Sequence, residues 1–559
     1  MKNKFLNILG AGLVAFSVSS CDLDINKDPY AVTDLNLSQL LSTVEYEISA
    51  SFAEGSYLNA NFSAYTQHTV SREIDNYSLV PSYSTLGNTW NNIYIYGIKN
   101  ADALIEEANK ANLSYYAGIG RVLRVYAYMN LTDLFGDVPY SEANVPGIEF
   151  PKADNSAAIY NDLLVQLNQA LEDFTATEGN STKPGSNDFL YNGDIQKWIK
   201  ATNTMKLKLL TQSRLAKDEI ANWDTELAAL IQEDNFLANG EDLQFPHTGT
   251  LSPADERKSG YVDEYEASQK GVWISPWMYE IMNGKAYNVK NNPFVGISDP
   301  RAPYYYFNQL TADEDAVSQT DYRDGAFVSI MMGSNTSYSS MTQDAAMTVL
   351  GIYPVGGKYD DGQGGAIGAK SGSGIAPDKM LQAYSVPFMK AELALAGEIT
   401  ADAKALLQEG IEAAFYHVNA VVAKADANAP LIEDDARDFF INNIMTQYDR
   451  ASDEKKMEIV MTQKWVANFY NPVEAYNDIR RTGYPVLFSG NEERKAVSPF
   501  DHTVEATDLT AEGGAELAIF KIADYPRVLW YPQDECDVNP NITNKDRNIT
   551  VSNVFWDVD

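Results

Sequence analysis

The sequence predicts a mainly α-helical fold that carries a loop-rich middle region. Apolar residues recur at helical spacing over long stretches before residue 215 and after residue 378. Of the 559 residues, 45% are hydrophobic, which is ample for a large buried core. Between residues 240 and 376 the helical pattern fades, and glycine, proline and aromatic residues become frequent. Helices therefore form the body, and the middle region contributes loops.

Four segments in the first half each show one apolar stripe at the spacing of an α-helix. Asp194 stands just before the fourth stripe and suits an N-cap, because its carboxylate can accept hydrogen bonds from free backbone amides. The stripes run from Trp90 to Ala108, from Ile119 to Leu134, from Ile159 to Phe174 and from Ile195 to Leu209.

The second half contains a predicted helical pair and one further long helix. Residues 378–396 and 401–418 form the pair, which breaks at Gly397-Glu398, and the further helix covers residues 453–470. Paired helices with short breaks indicate a tetratricopeptide-like arrangement, in which stacked hairpins bury a shared seam.

The charge of the chain limits its ligands. It has 42 Lys and Arg residues against 77 Asp and Glu residues, which gives a net charge of -35. Such a surface repels phosphate backbones and other polyanions. Nucleic acid is therefore excluded as a ligand, polyanionic glycans are disfavoured unless a local basic pocket exists, and a neutral ligand fits better.

The N-terminus has the pattern of a bacterial lipoprotein. Lys2 and Lys4 precede a short apolar run, and small residues then lead to Cys21. The run is too short to span a bilayer, and its flanks are typical of a signal peptide. We expect a signal peptide at 1–20, acylation of Cys21, a tether at 21–33 and a single domain at 34–559. The alternative is an ordinary signal peptide with a chance cysteine.

Common catalytic and cofactor motifs do not occur in the sequence. The histidines are isolated, without an H-E-x-x-H pattern, and a G-x-S-x-G elbow is missing. Residues 362–371 approach a phosphate loop, but Ala369 replaces its second glycine. The sequence therefore predicts no cofactor and no metal centre. Acidic residues around Asp313 could hold calcium, although their spacing is not that of an EF-hand and a solvated loop fits them better.

Four segments of the chain carry distinctive sequence blocks. They are RVLRVYAYMNLTDLFGDVPYSEA (121–143), WIKATNTMKLKLLTQSRLA (198–216), MTQKWVANFYNPVEAYNDIRRTGYPVL (461–487) and DYPRVLWYPQDECDVNP (524–540). These segments resemble blocks of the SusD/RagB superfamily, in particular its second SusD-like branch, and Trp556 near the terminus also fits. They occur in the family order and span most of the chain, although the middle region has no match and Cys536 departs from the pattern.

This resemblance implies a fold, a location and a partner. The expected SusD-like fold has four tetratricopeptide-like helix pairs and a loop-rich, ligand-binding face, with the variable region at 240–376. Such proteins of Bacteroidetes are anchored by lipid to the outer face of the outer membrane, over a SusC-like TonB-dependent transporter. They capture glycans, or peptides in some branches, deliver them to the transporter and are not enzymes.

Aromatic side chains are the leading candidates for glycan contacts. Flat rings cover the apolar C–H faces of sugars and lose little conformational entropy on binding. We expect at least one of the three adjacent tyrosines to be exposed. The aromatic candidates are Trp90, Trp273, Trp277, Tyr304, Tyr305 and Tyr306, and the polar candidates are Arg72, Asn91 and Asn92.

Each candidate also has a structural explanation. Trp273 and Trp277 suit core positions equally well, and Trp90 fits the head of its apolar stripe better than a ligand site. Arg72 could form a surface ion pair with an acidic neighbour. In RRTGYP (480–485) we expect both arginines to hold buried carboxylates or helix-end carbonyls, and Gly483 to end the helix.

Two rival functions remain open from the sequence. A secreted glycoside hydrolase needs only a pair of carboxylates, and sequence cannot show their separation. A tetratricopeptide-like scaffold could instead bind a peptide or a protein in its helical groove. The leading hypothesis is a non-catalytic, surface-exposed lipoprotein that binds nutrients.

Overall fold

The computed structural model confirms the mainly α-helical prediction. Arg72, the predicted signal peptide, Cys21 and the tether lie outside the described residues. The structure describes residues 36–53, 57–71, 86–252, 254–267, 272–287, 289, 291–314, 320, 322–330, 345–486, 526–551 and 554–558.

The longer helices follow one another along both halves of the chain. They are α1 (Leu37–Phe52), α2 (Tyr57–Tyr65), α3 (Lys99–Lys110), α4 (Ser114–Phe135), α5 (Ser156–Thr175), α6 (Ile195–Ser213), α7 (Trp223–Glu233), α8 (Ser385–Leu395), α9 (Ala403–Ala425), α10 (Asp434–Arg450), α11 (Asp453–Ala467) and α12 (Pro472–Thr482). Helix α4 packs against α3 and α5, and α8 packs against α9 and α11. None of the described helices is long and apolar enough to cross a lipid bilayer.

Short elements fill the spaces between these helices. The described strands form antiparallel pairs: β1 (Thr69–Ser71) with β5 (Val272–Ile274), β2 (Val138–Pro139) with β3 (Ala153–Asp154), β4 (Leu243–Phe245) with β10 (Asp378–Leu381), β6 (Tyr306–Phe307) with β9 (Val349–Leu350), and β7 (Tyr322–Asp324) with β8 (Phe327–Ser329). Helical turns lie at Asn88–Asn91, Ser259–Tyr261, Pro276–Met282, Ala302–Tyr305, Ile352–Val355 and Gln533–Val538, 3-10 helix at Arg214–Glu219, and π-helix at Asn92–Ile98 and Val262–Glu266.

Polar side chains cap helix N-termini, and the predicted N-cap Asp194 is one of them. The Asp194 carboxylate accepts hydrogen bonds from the amides of Gln196 at 3.1 Å and Lys197 at 3.3 Å. Asn36 caps α1 by accepting from the Ser38 amide at 3.0 Å. These bonds satisfy amide groups that have no partner inside their helix.

The bounds of several predicted helices are wrong. Residues 378–381 form strand β10, and helix α8 begins only at Ser385. Pro387 explains the late start, because proline is tolerated in the first turn but would break a helix that began at 378. Helix α9 runs on to Ala425, and α11 ends at Ala467. The first stripe is not one regular helix, since the π-helical turn Asn92–Ile98 precedes α3.

The buried apolar side chains form two clusters. One lies among α1 and α3 to α7. The other joins the described part of the middle region to α9, α10 and α11. The middle region is therefore not a set of surface loops alone, because many of its aromatic residues belong to a core.

A buried ionic network ties four helices together. Glu392 of α8 accepts two hydrogen bonds from the guanidinium of Arg481 in α12, at 2.9 Å and 2.7 Å. Arg214, just after α6, donates to the same carboxylate at 2.8 Å. Asp478 of α12 accepts from Arg481 at 2.8 Å and from Lys464 of α11 at 2.9 Å. A fork-shaped guanidinium suits such bidentate contacts.

The structure confirms the predicted role of the RRTGYP segment. Arg481 holds the buried carboxylates of the network, and Arg480 donates to the backbone carbonyl of Asp133 near the end of α4 at 2.6 Å. Gly483 ends α12 with a φ of 71°, a left-handed conformation that favours glycine.

The network sets the protonation of Glu392. Burial alone would raise the pKa of this carboxyl, but Arg481 and Arg214 outweigh it and lower the pKa to about 2. The folded state therefore stabilises the ionised form of Glu392 more than the unfolded chain does.

Replacing Glu392 should destabilise the fold strongly. In Glu392→Gln the guanidinium groups of Arg481 and Arg214 stay buried without their shared anion. We expect the free energy of unfolding to fall by about 3–5 kcal/mol, measured by chemical denaturation. Glu106→Gln, in an exposed ion pair with Lys110, is the matched control and should leave stability unchanged. Equal stability of Glu392→Gln and the wild type would refute a stabilising network.

The depressed pKa of Glu392 also predicts that the effect of this variant on stability depends on pH. Because the pKa of Glu392 is depressed in the folded state, its contribution is complete above the unfolded pKa of about 4.3 and is lost as the pH falls toward about 2. The stability difference between the wild type and Glu392→Gln should shrink over this interval. A difference that stays constant down to the lower pH would contradict the assignment.

Candidate ligand-binding cavity

A cavity of about 1010 Å³ lies where the helical body meets the middle region. This volume is at the upper end of the range of about 300–1,000 Å³ that small-molecule sites occupy. Its wall comes from segments far apart in sequence, namely the second half of α1 with Ala53, residues Asn88, Thr89 and Asn92, Phe189, residues 245–248, part of the segment 254–263 and Asp378 of β10. The fold therefore assembles the cavity from many parts of the chain.

Three aromatic rings stand together on this wall. The ring of Phe245 lies 5.8 Å from that of Tyr46 and 6.0 Å from that of Phe189, both in edge-to-face geometry. Tyr46 is 53% exposed and Phe189 is 45% exposed, whereas Phe245 is half-buried. Exposed rings that adjoin a cavity offer flat apolar surface to a ligand.

Buried hydrogen bonds position two of these rings. The Glu45 carboxyl, next to Tyr46 on α1, accepts from the Phe189 amide at 2.7 Å. Burial, and after it the adjacent Asp188, raise the pKa of Glu45 well above its usual value, which favours its protonated form. Asp188 in turn accepts from the indole of Trp198 at 2.8 Å. The loop that carries Phe189 is thus fixed to α1 and α6.

Strand pairing places the third ring beside a charged cluster. Phe245 of β4 is the register partner of Asp378 in β10. The Asp378 carboxylate accepts from Lys258 Nζ at 2.7 Å and from His247 Nε2 at 2.9 Å. Burial opposes its ionisation, yet Lys258 and His247 hold the pKa of Asp378 at about 2.

The basic side chains on the wall are satisfied by acidic groups or carbonyls. Arg257 donates to both oxygens of Asp255, at 3.0 Å and 2.9 Å, and also pairs with Glu266. His247 Nδ1 faces the backbone carbonyl of Glu256 at 3.1 Å, while its Nε2 faces Asp378. Both ring nitrogens therefore face acceptors.

Other polar side chains on the wall have no partner among the described residues. The amides of Asn88 and Asn92 lie one helical turn apart, exposed on the same side, and make no side-chain hydrogen bond. The carboxylate of Asp263 likewise forms no hydrogen bond or ion pair there. Asn92 and Asp263 both belong to π-helical turns, which are rare and often occur at functional sites.

A smaller cavity of about 560 Å³ lies between α3, α4 and α5. Its arginines are paired, Arg121 with Asp173 at 2.9 Å and Arg124 with Asp102 at 2.6 Å. The guanidinium of Arg124 also covers the ring of Tyr140, with its carbon 4.9 Å from the ring centroid. This cavity offers a ligand less free apolar surface than the larger one.

The described residues include no group of three or more His, Cys, Asp or Glu side chains that could hold a metal ion.

The structure places the predicted tryptophans of the middle region in the core. Trp273 is 0% exposed and lies in β5 opposite Val70, and Trp277 is also buried. Both belong to the second hydrophobic cluster. The high frequency of aromatic residues in the middle region therefore reflects the packing of that region. Neither tryptophan ring lines the cavity.

The expectation that one of Tyr304, Tyr305 and Tyr306 is exposed is wrong, since all three are buried. The reason is a change of backbone conformation. Tyr304 and Tyr305 end a helical turn and Tyr306 begins β6, so the three side chains do not alternate as in a continuous strand. Core residues surround them, and the Tyr305 ring stacks 4.8 Å from Tyr353.

The three candidate residues at 90–92 do not lie together in one site. Trp90 is buried, with its ring 4.8 Å from Tyr94 and 5.1 Å from Phe135. Asn91 is half-buried and does not contribute to the cavity wall, whereas Asn92 does. Arg72 lies outside the described residues.

The sequence carries only a weak signal for the rings that do line the cavity. Tyr46 is the clearest, because it is a large aromatic residue on the face of α1 opposite its buried residues. Phe189 and Phe245 lie in or beside irregular segments, outside the quoted family blocks. Only the tertiary structure brings the three rings together.

Comparison with solved structures defines the class of the protein. A protein described as chitin-binding shares 21% identity with a TM-score of 0.65, covering 94% of this chain and 100% of the other. A SusD/RagB family protein from Bacteroides thetaiotaomicron shares 19% identity with a TM-score of 0.65, covering 94% and 99%. A chitin-binding SusD homologue from Flavobacterium johnsoniae shares 18% identity with a TM-score of 0.60, covering 93% and 97%. The chain thus has the SusD-like fold.

The family model described as "starch-binding associating with outer membrane" matches residues 29–499. The chain therefore belongs to this SusD-like family, whose members associate with the outer membrane and bind glycans. No curated protein sequence matches the chain.

The burial of Trp273 predicts a structural role that can be measured. Trp273→Ala should lower the free energy of unfolding by about 3–5 kcal/mol, because it opens a cavity in the second core. Phe439→Ala, at a position that is 74% exposed, is the matched aromatic control and should change stability by less than about 0.5 kcal/mol. Similar thermal unfolding of both variants would contradict the core assignment.

Proposed function

We propose that this protein is a non-catalytic, lipid-anchored receptor that captures glycans in the larger cavity and delivers them to a SusC-like TonB-dependent transporter. Membership of a starch-binding, outer-membrane-associated family supports the glycan ligand and the location. The chitin-binding descriptions of two similar structures support a polysaccharide-derived ligand.

One observation carries the proposal, the pair of exposed rings beside the half-buried Phe245. Tyr46 and Phe189 line the cavity with exposed rings, and the amides of Asn88 and Asn92, which have no partner among the described residues, lie on the same wall. A sugar ring combines an apolar C–H face with a rim of hydroxyl groups. Rings therefore bind its face while amides hydrogen-bond its rim.

The proposed location depends on Cys21. A signal peptide that ends at a cysteine supports acylation, and several acyl chains hold a protein on a membrane far more firmly than one. Acidic residues follow at Asp22, Asp24 and Asp28 and resemble a surface-export signal. A receptor held in this way can receive glycan outside the cell and pass it to a barrel in the same membrane.

The rival hydrolase function has a direct test. Asp255, Glu256, Asp263 and Asp378 all line the cavity, and two suitably spaced carboxyl groups would suffice for glycoside hydrolysis. Asp255 and Asp378, however, are held in ion pairs. Release of new reducing ends from a panel of glycans by the pure protein would refute a binding-only role.

Removing the exposed rings should weaken glycan binding without unfolding the protein. Each of Tyr46→Ala and Phe189→Ala removes a ring whose stacking contributes about 1.4 kcal/mol to the free energy of binding. The Kd for a bound oligosaccharide should therefore rise about tenfold. Affinity electrophoresis on polysaccharides and calorimetry with hexasaccharides and peptides measure the change.

Phe439→Ala again serves as the matched control, because it removes an exposed ring that does not line the cavity. Its affinity should equal that of the wild type. Unchanged affinity in Tyr46→Ala and Phe189→Ala would place the glycan site elsewhere. Binding of peptides alone would favour the rival scaffold function.

Replacing Cys21 should release the protein from the membrane. In Cys21→Ala the acylated thiol is lost, and we expect the protein to leave the outer-membrane fraction and to lose metabolic labelling with a fatty acid. Ser20→Ala retains the cysteine and is the control. Surface proteolysis of intact cells tests the orientation, and a Cys21→Ala protein that remains anchored would contradict the proposal.

A further inference from the structure

The cavity wall has an electrostatic bias that the proposed glycan function does not specify. Four carboxylates line it, while its basic side chains are Arg257 and His247. Arg257 is neutralised by Asp255 and Glu266, and His247 faces Asp378. The wall therefore offers a ligand hydrogen-bond acceptors and negative potential, with no uncommitted cation among the described residues.

Asp263 differs from the other carboxylates on this wall. Asp255 is held by Arg257, Asp378 by Lys258, and Glu256 accepts from the hydroxyl of Thr248. Asp263 has no such partner in the described part of the chain. Partial burial raises the pKa of its carboxyl.

An ammonium group would supply what this carboxylate lacks. A charge-assisted N–H···O bond is stronger than a bond from a neutral hydroxyl, and partial shielding from water strengthens it further. Sugars that carry free amino groups present such a cation on the rim of a ring whose face is still apolar. Acidic sugars would instead meet the carboxylates of the wall and be repelled.

Resting on the proposed glycan function, we infer that Asp263 is a specificity-determining residue that makes the cavity prefer oligosaccharides with free amino groups over their N-acetylated and acidic counterparts. The exposed rings of Tyr46 and Phe189 supply stacking that is common to all these ligands. The carboxylate of Asp263 supplies the discrimination between them.

The test compares three hexasaccharides by calorimetry at mildly acidic pH: a glucosamine hexamer, an N-acetylglucosamine hexamer and an oligogalacturonate. We expect the wild-type protein to bind the glucosamine hexamer roughly fivefold more tightly than the acetylated one, and the oligogalacturonate most weakly. Added salt should weaken binding of the glucosamine hexamer only. At mildly alkaline pH, where the amines lose their protons, the preference should vanish.

Asp263→Asn should abolish the preference for the glucosamine hexamer and leave the affinity for the acetylated hexamer unchanged. Asp435→Asn removes an exposed carboxylate that does not line the cavity, and it should bind as the wild type does. An equal loss of affinity for both hexamers in Asp263→Asn would identify Asp263 as an acceptor for neutral hydroxyls and overturn the inference.

The outcomes separate this inference from the proposed function. Binding of the acetylated hexamer with no preference for free amines would refute the role of Asp263 alone. Failure of every glycan to bind, in this panel and in that of the ring variants, would refute the glycan receptor itself. Tightest binding of the oligogalacturonate would overturn the electrostatic argument.

Discussion

The buried carboxylate of Glu392 is the constraint on which the helical body depends. Two guanidinium groups, from Arg481 and Arg214, converge on it, and each belongs to a different part of the chain. A charged group can remain at 0% exposure only where its partners replace the hydration that it loses. The positions of α8, α12 and the end of α6 are therefore coupled, because displacing any one of them would leave a buried charge without compensation.

The helical body in turn determines where the cavity lies. Helix α1 packs against α3 and α4 through one face, which leaves Tyr46 on the opposite face toward solvent. Met380 and Leu381 of β10 pack in the first cluster, and pairing of β10 with β4 brings Phe245 to the same place. The cavity thus forms at the junction of two cores, and side chains from several distant segments contribute to it because both cores are rigidly packed.

Helical periodicity was sufficient to predict the class of fold and the N-cap of α6, since both depend on local pattern. The structural role of the RRTGYP segment was also predictable, because the segment lies in one of the quoted family blocks near the end of a helix. The strand at 378–381 was not, as its pairing partner β4 lies more than a hundred residues away in sequence. Trp273 and Tyr305 were misleading for another reason: a cluster of aromatic residues serves a core as readily as it serves a ligand. Which rings line the cavity could not be predicted from the sequence, because tertiary contacts between distant segments bring Tyr46, Phe189 and Phe245 together.

The rings that adjoin the cavity stand on positions whose side chains contribute little to the two cores. Tyr46 and Phe189 can therefore be exchanged during evolution at small cost to folding, whereas Glu392 and Trp273 cannot. The wall of the cavity can therefore change its chemistry while the packing that defines the architecture is retained.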